Sequence, residues 1–560
     1  MRSITPYIIS IFCIVAVCTS ASKAYGQDLG NISKKDILKV SGGAGLQTTA
    51  YTAFGIPAKR DPFLWQLNLN LNINILGVIS APFSATISSQ QSTVSQPQPF
   101  NNFGISPKYK AVTAHLGYRS ISLSEFSLSG NQFLGIGVEI APKNSFIKGK
   151  ALYGQFAQPV YLNPDGTLAS NPSFSRSGWG TGITFGRSSK NEVTVNLFRA
   201  TDNPNSLDVP IDELTIRPSE NFIFGVVTKQ TITKKLSVEG EIDFSAITYN
   251  TEIEEEVVPG NSYVNNIFLF NYNPSSAVKK AIKGGINYKL KAAKFQLKYR
   301  RVDPGYTSLG TSFINNDYED LSLKTSFALL KKRLNLSLSG GGQRNNLNAD
   351  KVAQLTRLIG SLSASYKIND KWNSSLNVSN FTSSTKQIIV VTFDSLKFVQ
   401  TTKSIGGSVS RTGGTDKLTN ALSIAANYQD AIVNNAKMNT FYNANVSWQL
   451  QFPKKKFGIG ATMMGIQTIT EINTTMNIGP SLSIRKTLFK DKFSLSAVAA
   501  YLNNFSDGVS NGEIISVSAN GGMSMTKRSK LSISAANIRR TVNGISSAEL
   551  TANINLNYSF

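Results

Sequence analysis

Cysteine occurs only as Cys13 and Cys18, and histidine occurs once in 560 residues. Both cysteines fall in an expected amino-terminal leader, so the remaining chain should form no disulfide, carry no thiolate nucleophile and offer no cysteine metal site. The lone His115 leaves little material for the Ser/His or Asp/His proton transfer on which hydrolases rely. It stands in the strand-like stretch from Lys110 to Arg119 with no nucleophile motif beside it, and hydrogen bonding within a wall is its expected role. Carboxylates are also scarce: 33 acidic residues face 57 basic ones, for a formal charge of +24. This balance favours anionic partners such as lipopolysaccharide or acidic solutes. Nucleic acid is disfavoured, because zinc-ligand spacing and a recognition helix are missing and the longest basic cluster is Lys454, Lys455 and Lys456. Finally, past the leader no run approaches the roughly 18 consecutive apolar residues of a spanning helix. If this chain crosses a membrane, it must do so with strands. Neither an enzyme nor a cofactor is expected.

The leader is Met1 to Gly26, with basic Arg2, an apolar stretch from Tyr7 to Val17 and small Ala24 and Gly26 before Gln27. It has the pattern of a secretory signal peptide. Lipid modification at Cys18 would want a small residue where Val17 stands. Removing the leader discards two basic residues, Arg2 and Lys23, and no acidic one, lowering the formal charge to +22.

What is abundant is alternation. Leu550, Ala552, Ile554, Leu556, Tyr558 and Phe560 interleave with Thr551, Asn553, Asn555, Asn557 and Ser559, and Trp65 to Ile75 repeats the pattern with asparagine on the second face. Period two with one lipid-compatible and one polar face is the signature of an outer-membrane β-barrel strand. Between turns lie segments of about ten to fourteen residues, enough for a tilted strand to cross a bilayer. The turns fall into two alternating classes. Short charged ones include Phe489 to Lys492, Pro453 to Lys456, Lys367 to Lys371 and Lys331 to Arg333. Longer ones include Pro159 to Ser175, Asp202 to Glu220, Asn250 to Ser276, Asp303 to Asp317 and Thr385 to Ser395. If the carboxyl terminus faces the periplasm, strand parity puts the short basic turns inside and the long loops outside.

The expected fold is therefore all-β: a transmembrane antiparallel up-and-down β-barrel of about 24 strands, range roughly 22 to 26. Its location is the cell outer membrane. Its divisions are residues 1–26, the signal peptide; 27–107, first strands with an interior or constriction segment; and 108–560, the main barrel. Within the second, Lys39 to Thr52 suits a first strand or an interior piece. Gln90 to Pro107 looks like an irregular link or constriction loop.

Arg60-Asp-Pro-Phe-Leu-Trp65, Ala81-Pro-Phe-Ser84, Gln98-Pro-Phe-Asn-Asn-Phe-Gly104, Ser106-Pro-Lys-Tyr-Lys110, His115-Leu-Gly-Tyr-Arg119 and Leu152-Tyr-Gly-Gln-Phe156 resemble the amino-terminal barrel region of a family of uncharacterised Bacteroidetes outer-membrane proteins. The resemblance covers about a hundred residues. It implies location and fold, and brings no reaction and no catalytic residues.

Strand phase gives the candidate functional residues. Apolar Phe295, Leu297 and Tyr299 turn Lys298 and Arg300 toward the lumen; Ile282, Ile286 and Tyr288 do so for Lys283; Leu321, Leu323 and Phe327 for Lys324; and Ile147, Ala151 and Tyr153 for Lys148 and Lys150. A basic residue facing lipid at mid-membrane depth would cost about 2–4 kcal/mol, which enforces the phase. The outcome is a basic, anion-preferring lumen, or a balanced one if Glu239, Glu241 and Asp243 offset the cations. The run Glu252, Glu254, Glu255, Glu256 lacks the Asp/Asn/Gly spacing of a calcium loop and suits a solvated loop. Tyr558 and Phe560 are the expected signal for the barrel assembly machinery.

The leading functional expectation is a transport or export channel, since so wide a barrel cannot be filled by wall side chains alone. The alternative is a non-transporting scaffold whose outer loops hold surface proteins or polysaccharide. Gln27 to Lys108 is too short and too strand-like for the plug of a TonB-dependent receptor.

Overall fold

The computed structural model describes residues 37–92, 96–254, 270–387 and 398–560. The expected signal peptide and the loop residues Glu255 and Glu256 lie outside them. Alternating sequence becomes one continuous antiparallel sheet of 27 strand segments. Two of these, Asn102–Ile105 and Lys108–Tyr109, share one place between Ile79–Ser88 and Val112–Arg119, so the wall has 26 staves. It closes where the first strand, Leu38–Phe54, pairs antiparallel with the last, Ile545–Ser559, from Gly43↔Ser559 to Phe54↔Ala548. Closure removes both edges, so every wall stave has a hydrogen-bonded neighbour on each side, as a bilayer interior requires.

The count exceeds the expected 24 by two, within the expected range. One addition is Lys39 to Thr52, which is a wall strand; its glycines and small outward residues had disguised it. The other is Asn102–Tyr109, which occupies the end of the presumed Gln90–Pro107 link and is split at Ser106-Pro107 because proline cannot donate to the ladder. From Val112 to the carboxyl terminus, strand parity holds throughout: the short basic turns lie at the same end as Phe560, and the long loops lie at the other.

The outward register is apolar and exposed, as in Ile136, Tyr153, Leu321, Leu358, Ile405, Leu482 and Ile554. No soluble sheet leaves such a face uncovered; hydrocarbon is the solvent it fits. Near the long-loop end the same outward register turns charged. Glu319 lies 3.4 Å from Arg301 and 2.5 Å from Arg344, and the Tyr299 hydroxyl donates to it at 3.3 Å. That change marks where lipid tails give way to head groups.

Candidate functional site: the lumenal insert and its charge network

Two connections at the long-loop end fold into the barrel. Residues 120–132 join Val112–Arg119 to Phe133–Ile140, and residues 303–317 join Ala293–Val302 to Tyr318–Leu329. They meet through a short parallel pairing, Gly310↔Leu128 and Thr311↔Ser129. This is a departure from the expected outer loop Asp303–Asp317, and it adds interior segments beyond residue 108.

Burial explains the inward path. Ile121, Leu123, Leu128 and Leu309 from the two segments pack with Phe133, Leu152, Phe156, Phe198, Ala200, Ile223 and Ile247 of the wall into one apolar cluster. Phe156 and Phe198 meet edge to face at 5.4 Å. Phe126, Tyr306, Tyr318, Ala281 and Val302 form a second cluster. The fit is close at Gly310, where an added Cβ would lie 2.5 Å from the Ser127 carbonyl and 2.7 Å from the Phe198 ring. Glycine permits that approach.

Around the apolar seat, buried polar contacts tie insert to wall and the two inserted segments to each other. Ser124 Oγ donates to Asp243 at 2.8 Å, the Phe126 amide to Glu241 at 3.2 Å and the Leu309 amide to Asn221 at 3.1 Å. Ser245 Oγ donates to the Thr307 carbonyl at 2.6 Å, and the Tyr306 hydroxyl to the Phe126 carbonyl at 3.0 Å. Burial first, and the carboxylates of Asp243 and Glu241 second, hold the Tyr306 hydroxyl well above the ordinary phenol range, so it remains a donor.

The cations named from strand phase lie on the lumen face, most of them with partners. Lys283 Nζ is 2.5 Å from Glu125 of the insert and 3.0 Å from Glu241 of the adjacent stave. Arg300 reaches Asp320 at 3.0 Å and Glu125 at 3.7 Å, and stacks over the Tyr318 ring at 4.9 Å. Lys148 lies 3.5 Å from Glu192, Lys298 4.0 Å from Glu239, and Lys150 donates to the Ser122 carbonyl of the insert. Lys324 stands opposite Gln296, with no ion pair among the described residues. Much of the basic character of this arc is thus locally offset. Glu125, which connects two of these cations, was not identified from sequence; the alternation Ile121, Leu123 followed by Phe126, Leu128 in a nominal loop was the available signal.

His115 lies between two partners: Ser106 Oγ at 3.0 Å from Nδ1 and Glu139 Oε1 at 3.4 Å from Nε2. The row superficially suggests a hydrolytic triad. Yet the carboxylate sits on Nε2 and the hydroxyl on Nδ1, the reverse of the usual triad arrangement. The Ser106 amide is also engaged, donating to the Pro82 carbonyl at 2.8 Å, so it is unavailable to an oxyanion. The contacts join three neighbouring staves where proline interrupts the ladder.

Beyond the insert the lumen changes character. Among the described residues no hydrophobic side chain is buried after Tyr318. The inner face there carries hydroxyl and amide pairs, including Ser339–Ser361 at 2.6 Å, Ser375–Ser408 and Ser379–Ser404 at 2.7 Å, and Asn504–Asn477 at 2.9 Å. Among the described residues, one arc is covered by protein and the other is left uncovered.

No family model and no curated protein matches the chain. Several solved structures do. The copper transporter OprC shares 9% identity over 96% of this chain and 82% of its own, with a TM-score of 0.41. Pseudomonas aeruginosa OpdQ shares 10% over 67% of this chain and 98% of its own, TM-score 0.35. The translocation pore of the P pilus usher PapC shares 9% over 93% and 99%, TM-score 0.33. At these values nothing about activity passes from them to this chain.

Proposed function

We propose that this protein is an outer-membrane channel for hydrophilic solutes, narrowed from the outer side by the two inserted segments. The single observation that carries this reading is the uncovered arc. Barrels of about 16–18 strands already leave an aqueous passage, and among the described residues this 26-stave wall is covered from within only between Phe133–Ile140 and Tyr318–Leu329. The remaining staves offer water a hydroxyl-lined surface rather than an apolar core.

The charge preference is for anions and is modest, because Lys283, Arg300, Lys298 and Lys148 spend their charge on neighbouring carboxylates. Lys324, Arg357 and Arg485, which strand phase turns inward opposite outward Leu323, Leu358 and Ile484 and which have no ion pair among the described residues, supply the surplus. The chain acts as a conduit without a catalytic step. Lipopolysaccharide around the wall and the barrel assembly machinery are its proposed partners.

Single-channel recording in planar bilayers tests the reading. Purified, heat-modifiable barrel should give stable ohmic steps. Folded protein that never conducts would favour the scaffold role instead.

A further inference from the structure

Where the insert meets the uncovered arc, a polar recess of about 170 Å³ opens at the outer end of the lumen. Its lining includes Asn315 and Asp317 from the second inserted segment, Gln343 and Asn345 from Leu334–Asn345, and Lys351 and Arg357 from the next hairpin. Asp317 is itself committed: it holds the Lys351 ammonium and accepts from the Leu347 amide at 2.9 Å. Asn345 accepts from the Leu355 amide at 2.7 Å, which fixes the rim. Arg357 differs from its neighbours. On the staves nearest to it, Arg300, Arg301 and Arg344 each have a carboxylate within 4 Å. Among the described residues Arg357 has none. Its one hydrogen bond is a long donation to the Gln343 amide oxygen at 3.3 Å, and its Nε is buried without a partner.

A half-buried guanidinium without a counter-charge, surrounded by carboxamides, is a poor structural strut and a good receptor. The planar fork favours a carboxylate, which it can engage with two parallel bonds. The amides and the Lys351–Asp317 pair offer both donors and acceptors at fixed positions, which suits a ring bearing several hydroxyls. The volume is well below the about 300–1,000 Å³ of drug-sized pockets, leaving room for a single ring. We infer that this recess binds the carboxylated sugar ring of an acidic saccharide, with Arg357 on the carboxylate and Gln343, Asn345 and Asn315 on the hydroxyls. The inference rests on the channel reading only in placing the recess on a solute path; binding itself needs no conduction.

Saturation-transfer NMR on detergent-solubilised full-length protein tests it, using a glucuronate disaccharide, the corresponding neutral glucose disaccharide and acetate as separate probes. The acidic disaccharide should receive transfer at its ring protons, at least fivefold more than the neutral one, and acetate should compete only weakly. Arg357→Gln should reduce the signal at least fivefold and Arg357→Lys should restore part of it, whereas Lys298→Gln should leave it unchanged. Heat-modifiable migration of each variant checks that the barrel has formed. Equal transfer to both disaccharides, an undiminished signal in Arg357→Gln, or no transfer to the wild type would each overturn the proposal. A protein that binds but does not conduct would remove the channel reading and leave this site standing.

Discussion

Glu125, at the turn of an inserted segment, lies 2.5 Å from Lys283 of the wall, and the same lysine holds Glu241 at 3.0 Å. Lys283→Gln would leave Glu241, whose side chain is only 4% exposed, without its cation. Breaking a fully buried pair costs about 3–5 kcal/mol. Partial solvation of Lys283 and Glu125 lowers the expected loss to about 1–2 kcal/mol. Residues 120–132 should then be cut faster by protease added to intact cells, with the barrel still folded. Cleavage at the wild-type rate would remove the latch role of this pair.

Gly310 tests the same seat without touching charge. Gly310→Ala puts a methyl group where the Phe198 ring and the Ser127 carbonyl lie, a strain of about 1–3 kcal/mol. Because neither insert belongs to the wall, the variant should retain heat-modifiable migration and show larger, noisier conductance steps. Loss of the folded barrel would instead show that the insert is needed for closure.

Side assignment follows from strand parity. A cysteine at Asp165, in the turn where the Thr167 amide and hydroxyl hold this carboxyl below its usual range, should react with an impermeant maleimide on intact cells. One at Lys490 should react only after the outer membrane is opened. The opposite pattern would invert the topology.

At the seam, Gly42 and Phe560 exchange two backbone bonds of 3.0 Å, and the Phe560 ring lies 5.9 Å from that of Tyr558. Phe560→Ala keeps the bonds and loses the ring contact, so folded protein in the membrane should fall severalfold while the conductance of each folded molecule stays the same. Undiminished levels would dismiss the ring as an assembly signal.

Charge preference can be moved in either direction through one pair. Lys298 and Glu239 sit 4.0 Å apart on the lumen face, and screening confines their reach to about 8 Å at physiological salt. Reversal potentials across a KCl gradient should show mild chloride preference in the wild type, stronger preference in Glu239→Gln and weaker preference in Lys298→Gln. Cation preference in the wild type would refute the surplus of positive charge assigned to Lys324, Arg357 and Arg485.

The wall was legible in the sequence because a bilayer enforces period two. A misplaced Lys298 or Arg300 would sit in hydrocarbon, so their phase can be read from Leu297 and Tyr299 alone. The first stave was harder to read because Ala44, Thr48 and Ala50 give its lipid face little contrast against Gly43, Gly45 and Gln47. The insert was less legible still. Ile121 and Leu123 alternate like a wall strand, yet their destination depends on Phe198, Ile223 and Ile247, tens of residues away, and no local pattern specifies such contacts. Arg357 looks in the sequence like Arg300; what separates them is that Arg300 has Asp320 beside it and Arg357 has the amides of Gln343 and Asn345.

The apolar seat of the insert also imposes an order on assembly. Residues 120–132 emerge early, but their seat needs Phe198, Ile223 and Ile247, and their partner strand needs Gly310. Until the staves carrying Phe198, Ile223 and Ile247 are in register, Ile121, Leu123 and Leu128 have only Phe133, Leu152 and Phe156 of the wall to pack against. A half-built wall therefore carries an unsatisfied greasy segment at its outer mouth. Seating it rewards completion of the covered arc, and an interrupted barrel is the form most exposed to chaperones and periplasmic proteases.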